Sequence, residues 1–453
     1  MKLRQLPLLL VAAAVLQPLA AQQMLPEIGK DQLAQRRQEL MQRLKSGVVL
    51  VRGAGTNEDM GQFVQNHECY YLTGINEPNI TVLLLPETKE QLLFVPPFSR
   101  FTADWEGERV PPGKKGEEMT GFGKVLPNGQ LRAELDKLLK QGDSAKPVLW
   151  TPLQPSPGRS STPGQMLRVA GERQNDPFDG RESRESALKE SLERMYPGIA
   201  VRDLTAEIHD MRGVKSKDEI ACVRAAAAAG AQGIAEAMRS TEPGMYEFEV
   251  AAVARYVFDR LGANGDAYGA IVGAGKNGCV LHYMANSKHI EDGELIVMDY
   301  APMVRNYCAD VTRTFPANGK FTPEQRKLVQ DIYEIQRTLV AMVKPGLRMG
   351  EIERKARQML TERGYRSAHG VSHHVGLAVH DVGDDELRPG MVFTIEPGAY
   401  FAKQGMGCRV EDTILVTEDG YINLSEAVPA SPDEIEKLMA EKGIAQQPVG
   451  TKK

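Results

Sequence analysis

The sequence predicts a two-domain protein of the α+β class, in which a smaller α/β domain precedes the main domain. Its 453 residues exceed the usual content of one hydrophobic core. Strand-like stretches separated by turn residues fill the first part, whereas amphipathic helices flank strand pairs in the second part. Helices beside such pairs indicate an antiparallel layer and not a parallel βαβ array. The predicted segments are 1–21, 22–200, 201–440 and 441–453.

Composition and charge exclude several classes of protein. Hydrophobic residues make up 42% of the chain and charged residues 25%, as in ordinary soluble globular proteins. The net charge of −5 provides no basic surface for DNA or RNA, so we expect no nucleic-acid partner. Beyond residue 21 the sequence has no segment apolar enough to cross a bilayer, so we expect no stable membrane anchor.

The N-terminus has the pattern of a secretory signal peptide. Lys2 and Arg4 precede a largely apolar run over residues 6–16, and small residues follow up to Ala21. This pattern predicts cleavage near Ala21 and export to the periplasm or the medium. An uncleaved anchor is the alternative, but the run is shorter than the roughly 20 residues that span a bilayer. The five scattered cysteines predict no disulfide framework, although a single bridge stays open.

The hydrophobic pattern predicts the elements of both domains in order. The helix over 215–238 begins with Ser216 ahead of Glu219, the spacing of a capping box. In the first domain the predicted elements are strands 46–55, 79–86 and 91–97, a loop over 151–164 and a helix over 185–198. In the main domain they are helices 215–238, 244–263, 323–343 and 350–364, and strands 294–300, 306–315, 391–398 and 409–424.

Four carboxylates stand in otherwise apolar strands. A hairpin with its turn between Val304 and Arg305 would place Asp299 directly opposite Asp310. A second hairpin, centred on residues 403–404, would in the same way oppose two further acids, Glu396 and Glu411. Opposed residues of an antiparallel pair have Cβ atoms about 5 Å apart, so each pair is expected to face one side of its sheet.

Such a cluster of acids needs positive charge beside it. Like charges at 4 Å repel by about 4 kcal/mol per pair at an effective dielectric near 20. The stretch HGVSHHVGLAVHDVG, residues 369–383, holds four of the eight histidines of the chain. Imidazole and carboxylate together form a donor set suited to manganese, zinc or cobalt. Any one of these acids could be a surface residue, but the whole set predicts a site for two divalent cations.

Six blocks of the second part of the chain form a recognisable series: RGVKSKDEIACVRAAAA, VLHYMAN, LIVMDYAPMVRNYCADVTRTFPANGKFTPEQ, HGVSHHVGLAVHDVG, MVFTIEPGAYF and CRVEDTILVTEDG. Together they resemble the blocks of the "pita-bread" metallopeptidases, and most closely the aminopeptidase P and prolidase branch. The resemblance covers about residues 205–440, and YYLTGINEPN and DWEGER resemble the N-terminal domain of that branch. The resemblance implies a pita-bread catalytic domain behind a smaller α/β domain.

The resemblance also implies a set of site residues. The metal ligands would be Asp299, Asp310, His373, Glu396 and Glu411, with Asp310 and Glu411 bridging two divalent ions. Mn²⁺ is favoured over Zn²⁺ and Co²⁺. His282, His380 and Arg409 match further residues of the family's active site, whereas His374 is expected to be a packing residue and His369 a structural one.

The activity implied by the resemblance is hydrolysis of the bond between an N-terminal residue and proline, on peptides with proline at the second position. Glu396 would carry a proton from water to the leaving nitrogen. His282 and His380 would stabilise the oxyanion, and Arg409 would anchor a ligand carboxylate or the substrate.

A homodimer or homotetramer is expected, because relatives often form them. The alternatives are a prolidase, which acts on dipeptides alone, a methionine aminopeptidase, and a metal-free binding protein of the same fold. The chain departs from the family pattern at Ala301, where the family often has glycine, and its spacings between the last three ligands are shorter than in many relatives.

Overall fold

The computed structural model describes residues 25–56, 62–97, 99–140, 147–155 and 160–446. The predicted signal peptide and residues 447–453 of the predicted tail lie outside these ranges. Within the ranges described, no helix combines the length and the apolar character that crossing a membrane requires.

The first domain is built on one mixed sheet of six strands. Strand order is β4-β3-β2-β1-β5-β6; β1, β2 and β3 pair antiparallel, and the remaining neighbours pair in parallel. Its elements are α1 (Lys30–Leu44), β1 (Val48–Arg52), α2 (His67–Thr73), β2 (Thr81–Leu85), β3 (Glu90–Val95), α3 (Arg100–Glu106), α4 (Lys114–Thr120), β4 (Lys124–Pro127), α5 (Leu131–Lys140), β5 (Val148–Thr151), α6 (Pro163–Asn175), α7 (Arg184–Met195) and β6 (Ala200–Asp203).

The main domain places helices against antiparallel strands, as the sequence predicts. Two three-stranded sheets, ordered β11-β8-β7 and β12-β15-β16, are accompanied by the hairpins β9/β10 and β13/β14. The elements are α8 (Thr205–Gly213), α9 (Lys217–Ser240), α10 (Glu247–Arg260), β7 (Ile271–Ala274), β8 (Leu295–Asp299), β9 (Met303–Val304), β10 (Tyr307–Cys308), β11 (Thr312–Pro316), α11 (Pro323–Ala341), α12 (Met349–Glu362), β12 (Val392–Ile395), β13 (Gly398–Phe401), β14 (Met406–Arg409), β15 (Asp412–Val416), β16 (Tyr421–Asn423) and α13 (Pro432–Met439).

Helix α9 illustrates how local sequence sets an element. Ser216 accepts a hydrogen bond from the Glu219 N–H, and the Glu219 carboxylate accepts one from the Ser216 N–H, so the predicted capping box is confirmed. The small residues of α9 allow α10 to approach closely, because a Cβ at Gly233 would overlap the ring of Phe258. Glycine at position 233 therefore permits the tight packing of α9 against α10.

Other predictions needed adjustment. The predicted loop over 151–164 ends earlier than expected, because Thr162 caps α6 and Pro163 occupies its first turn. None of the five cysteines, all of which lie within the described ranges, forms a disulfide. One apolar core runs from Val49 and Leu72 of the first domain into Val223 and Ala226 of α9, so the two domains share buried surface.

Candidate metal centre and active site

Asp299 ends strand β8, and Asp310 lies between β10 and β11, so the two residues stand on opposite sides of the β9/β10 hairpin. They are not paired in the predicted register. Strands β8 and β11 pair Asp299 with Thr312, so the predicted opposition of Asp299 and Asp310 is wrong by two residues. The turn lies at Arg305 and Asn306, both with positive φ (51° and 63°). Two consecutive residues with positive φ form a tight hairpin turn whose twist matches that of the flanking strands. Because this turn lies one residue later than predicted, each residue before it pairs two positions further along the chain.

The two aspartates nevertheless meet, through a tyrosine that the sequence analysis did not single out. The Tyr268 hydroxyl oxygen lies 2.6 Å from Asp299 Oδ1 and 2.5 Å from Asp310 Oδ1. Burial, followed by the charges of these two carboxylates, raises the pKa of Tyr268 well above its ordinary value. The hydroxyl therefore stays protonated and can donate to either acid.

The register predicted for the glutamates is confirmed. Strands β12 and β15 pair Ile395 with Asp412, and β13 and β14 pair Gly398 with Arg409. Both pairs belong to one continuous register, which places Glu396 opposite Glu411 in the gap between the two sheets. Glu411 Oε2 also accepts a hydrogen bond of 2.6 Å from the Thr312 hydroxyl. The four acids thus converge where the two strand systems meet.

His373 completes the cluster. Its Nε2 lies 3.4 Å from Asp310 Oδ2 and 3.4 Å from Glu396 Oε1. Its Nδ1 lies 3.2 Å from the carbonyl oxygen of His374, a contact that assigns the proton to Nδ1 and leaves the Nε2 lone pair facing the acids. One ligand atom each of Asp310, His373 and Glu411 lies within 4.8 Å of the others.

The excess negative charge of this acid cluster is what bound divalent cations would compensate. Burial, followed by the charge of a neighbouring carboxylate, raises the pKa of Asp310, Glu396 and Glu411 well above the ordinary range. Arg409 contributes one positive charge, with Nη2 2.6 Å from Asp299 Oδ2 and Nε 3.1 Å from Thr312 Oγ1. Four acids, three of them buried, against one guanidinium leave negative charge uncompensated. Carboxylates with one imidazole are a donor set for divalent transition metals.

His380 and His282 line the same cavity, whose volume is about 410 Å³. The His380 ring centroid lies 4.3 Å from that of His373. Its Nδ1 lies 3.0 Å from the carbonyl oxygen of Ser160, which belongs to the first domain. Burial, and then the neighbouring His373, lower the pKa of His380 to about 4, so the ring is neutral near pH 7.

The remaining histidines of the block separate into two kinds. His374 is 7% exposed, and its Nε2 lies 2.9 Å from the Asp384 carbonyl oxygen, in agreement with the expected packing role. His369, expected to be structural, instead lines the cavity: its Nδ1 lies 3.6 Å from Glu396 Oε2 and its Nε2 2.9 Å from Tyr400 Oη. Its proximity in sequence to the other histidines was the available signal.

All eight predicted site residues therefore line one cavity, together with residues that sequence reasoning missed. The missed lining residues are Tyr268 and the segment of the first domain that includes Ser160 and Gln165. Tyr400, also missed, accepts a hydrogen bond from the lining residue Arg409. No local motif marks Tyr268 or Ser160. The predicted residues found in this cavity are Asp299, Asp310, His373, Glu396, Glu411, His282, His380 and Arg409.

Comparison with known proteins relates both domains to peptidases. Residues 221–418 match the model of metallopeptidase family M24, and residues 33–148 match that of the aminopeptidase P N-terminal domain. The chain is 30% identical to the Xaa-Pro aminopeptidase of Escherichia coli (strain K12), over 91% of this chain and 98% of that protein. It is 34% identical to the Xaa-Pro dipeptidase of Pyrococcus furiosus, over 48% of this chain and 65% of that protein.

Solved structures show the same relationship. A putative aminopeptidase P from Bacillus anthracis superimposes with a TM-score of 0.81 at 27% identity, covering 92% of this chain and all of that one. Zn-substituted E. coli aminopeptidase P in complex with product gives a TM-score of 0.76 at 29% identity, covering 91% of this chain and 99% of that one. The arrangement of both domains is thus that of these two proteins.

Proposed function

We propose that this chain, which belongs to the aminopeptidase P family of the M24 metallopeptidases, is a metal-dependent aminopeptidase that releases an N-terminal residue from a following proline. The observation that carries the proposal is the convergence of His373 and four acids on one cavity. The similarity to the E. coli Xaa-Pro aminopeptidase, which extends over both domains, supports the same activity.

The metal site would be formed by the predicted ligand set. Bound divalent ions would supply Lewis-acid activation of water and of the scissile carbonyl. We propose Mn²⁺ as the native metal, because carboxylate oxygens dominate the donor set; Zn²⁺ and Co²⁺ are the alternatives. The residues that would hold two ions are Asp299, Asp310, His373, Glu396 and Glu411.

The protein's own groups would move protons and hold the substrate. Glu396 would take a proton from the attacking water and pass it to the leaving proline nitrogen. Because His380 Nδ1–H donates to the Ser160 carbonyl oxygen, Nε2 of the neutral ring is an acceptor. In this proposal His380 therefore accepts from an N–H group of the substrate, instead of stabilising the oxyanion as the sequence analysis expected. His282, on the same cavity wall, would then donate to the oxyanion. Arg409 would hold Asp299 in place.

The main alternative is a prolidase, which must also hold the C-terminal carboxylate of a dipeptide. Arg388, the only arginine of residues 381–396, is the candidate for this task. In the structure Arg388 pairs with Asp384 at 2.6 Å and lines a different cavity, next to His209 and Asp210. This placement favours an aminopeptidase that accepts longer peptides.

The test is cleavage of Xaa-Pro peptides of two, three, five and nine residues by full-length protein, with added Mn²⁺ or with chelator. We expect release of the first residue from peptides of three residues and longer, complete loss with chelator, and no cleavage when alanine replaces proline. Asp310→Ala and His373→Ala should be inactive. Cleavage of dipeptides alone would establish the prolidase alternative, and absence of both Mn²⁺ binding and hydrolysis would favour a metal-free binding protein.

We also propose that the protein is exported and that the mature chain begins after Ala21. The support is the charged, apolar and small-residue pattern of residues 1–21. Cell fractionation with N-terminal sequencing tests this, and a variant lacking residues 2–21 should stay in the cytoplasm. We further propose a homodimer or homotetramer; light scattering of the purified protein would show a monomer if this is wrong.

A further inference from the structure

A buried ionic cluster lies where the first domain meets the main domain. Arg212 of α8 donates from Nη1 to Glu68 Oε1 at 3.0 Å and from Nη2 to Asp381 Oδ1 at 2.5 Å. Lys215 Nζ lies 3.5 Å from the other carboxylate oxygen of Asp381. The four side chains are at most 5% exposed, so their charges compensate one another out of contact with water. Glu68 comes from α2, whereas Asp381 directly follows His380.

The backbone of Asp381 is tied to the loop that carries the histidines. Its N–H donates to the His374 carbonyl oxygen at 2.8 Å, and the same oxygen lies 3.2 Å from His373 Nδ1. One carbonyl therefore receives both the N–H that anchors Asp381 and the N–H that fixes the His373 tautomer. A Cβ at Gly376 would overlap Asp381 Oδ2 and lie 2.9 Å from Lys215 Cε, so glycine lets the ion pair pack against this loop.

We propose that Arg212, held by Glu68 and acting through Asp381, is a positioning residue for the loop that carries His373 and His380. Through this cluster the first domain contributes to the geometry of the active site from behind the histidine loop. The inference rests on the proposed function, because the orientation of these two histidines matters only if the cavity is a peptidase centre.

The expected effect follows from buried charge. Asp381→Asn leaves Arg212 and Lys215 buried with Glu68 as their remaining acidic partner in the cluster, so the local backbone has to relax. Loss of a contact just outside a metal-ligating histidine typically weakens metal binding by about 10–100-fold. Because Asp381 acts through one shared carbonyl, we expect Asp381→Asn to weaken Mn²⁺ binding by about tenfold and to lower kcat by about tenfold, with little change in KM.

A second buried ion pair between the domains provides a matched control. Arg36 of α1 and Glu219 of α9 form a contact of 3.0 Å, and both side chains are 3% exposed. In the described part of the chain, neither forms a hydrogen bond or ion pair with residues 373–381. Glu219→Gln should therefore lower Tm while leaving Mn²⁺ affinity and kcat unchanged.

The experiment titrates Mn²⁺ alone into metal-free full-length protein by calorimetry, and then measures Tm, kcat and KM on an Xaa-Pro peptide. We expect Asp381→Asn and Glu68→Gln to lose Mn²⁺ affinity and kcat, with a smaller loss in Arg212→Lys, which keeps the charge. Glu68→Gln, whose side chain lies in the first domain, keeps the test decisive if Asp381→Asn does not fold.

Two results would overturn the inference. If the cluster variants lose only Tm, as Glu219→Gln does, the cluster is merely structural and the proposed function stands. If the wild-type protein itself neither binds Mn²⁺ nor cleaves Xaa-Pro peptides, the proposed function fails and this inference fails with it.

Discussion

Arg409 donates a hydrogen bond of 2.6 Å from Nη2 to Oδ2 of Asp299, and the two side chains are only 4% and 11% exposed. Although burial alone would lower the pKa of Arg409, Tyr400 and Asp299 raise it above its ordinary value, so the guanidinium stays charged. It places a permanent positive charge in direct contact with the acid cluster.

Arg409→Met should destabilise the metal-free protein more than the Mn²⁺-loaded protein. Without the guanidinium, the buried Asp299 carboxylate has lost its ionic partner, a change that typically costs about 3–5 kcal/mol. Bound cations would restore part of that compensation. Urea unfolding in chelator and in Mn²⁺ measures the difference. Arg36→Met, which breaks the buried pair with Glu219, should lose similar stability under both conditions; an equal loss for Arg409→Met would contradict the prediction.

Tyr268→Phe should weaken Mn²⁺ binding by about tenfold, the lower end of the effect expected for groups that orient metal ligands. The variant removes the hydroxyl shared by Asp299 and Asp310 while keeping the ring. Calorimetric titration with Mn²⁺ measures the change. Tyr307→Phe is the control, because this buried hydroxyl donates instead to Glu219 at 2.9 Å. Unchanged affinity in Tyr268→Phe would show that the aspartates are held without it.

Asp310→Asn should stabilise the metal-free protein, by about 1 kcal/mol or more, although most buried substitutions destabilise. It removes one charge from a cluster of like charges at short range. The same variant should lose the stabilisation by Mn²⁺, which for wild type is about 2.7 kcal/mol at a hundred times Kd. Urea unfolding with and without Mn²⁺ tests both.

Asp412→Asn is the contrasting control for that experiment. Asp412 is also buried, but it is paired with Arg313 at 2.6 Å, so its loss should destabilise. The reasoning fails if Asp310→Asn is as destabilising as Asp412→Asn in chelator.

The stability of the protein should fall in mild acid, in part because of His67. Burial, and then the nearby Arg212 charge, lower the pKa of His67 to about 4, from an ordinary value of 6.5. Between pH 6.5 and about pH 4, His67 is protonated in the unfolded chain but stays neutral in the folded protein. The contribution of His67 is therefore complete above pH 6.5 and is lost as pH falls towards 4, at up to about 1.4 kcal/mol per pH unit.

His67→Phe, which keeps a ring but cannot titrate, should have a shallower decline of unfolding free energy over that pH range. Urea unfolding at intervals between pH 7 and pH 4 measures the slopes, in chelator to keep metal binding out of the comparison. Parallel curves for wild type and variant would show that His67 titrates normally.

Much of the site could be predicted because its residues lie in short blocks with fixed spacing. The Glu396 and Glu411 register was predictable, since the two strands continue in register through one even connection. The register of Asp299 and Asp310 was not, because Arg305 and Asn306 adopt positive φ and shift the turn, which strand periodicity does not reveal. Tyr268 and Ser160 were missed because their contacts join residues 31 to 220 positions apart.

The sequence by itself determined which chemistry this protein can perform: its acids and histidines, the helix caps, and the apolar stretches that become strands are all local features. Tertiary structure alone decided how those groups are held, since the contact of Ser160 with His380 and that of Glu68 with Arg212 cross between domains. The physical reason is that a buried charge needs a compensating partner, and the fold can supply that partner from a residue far away in the sequence. The spatial proximity of two such residues produces no local sequence pattern, so it could not be predicted from the sequence.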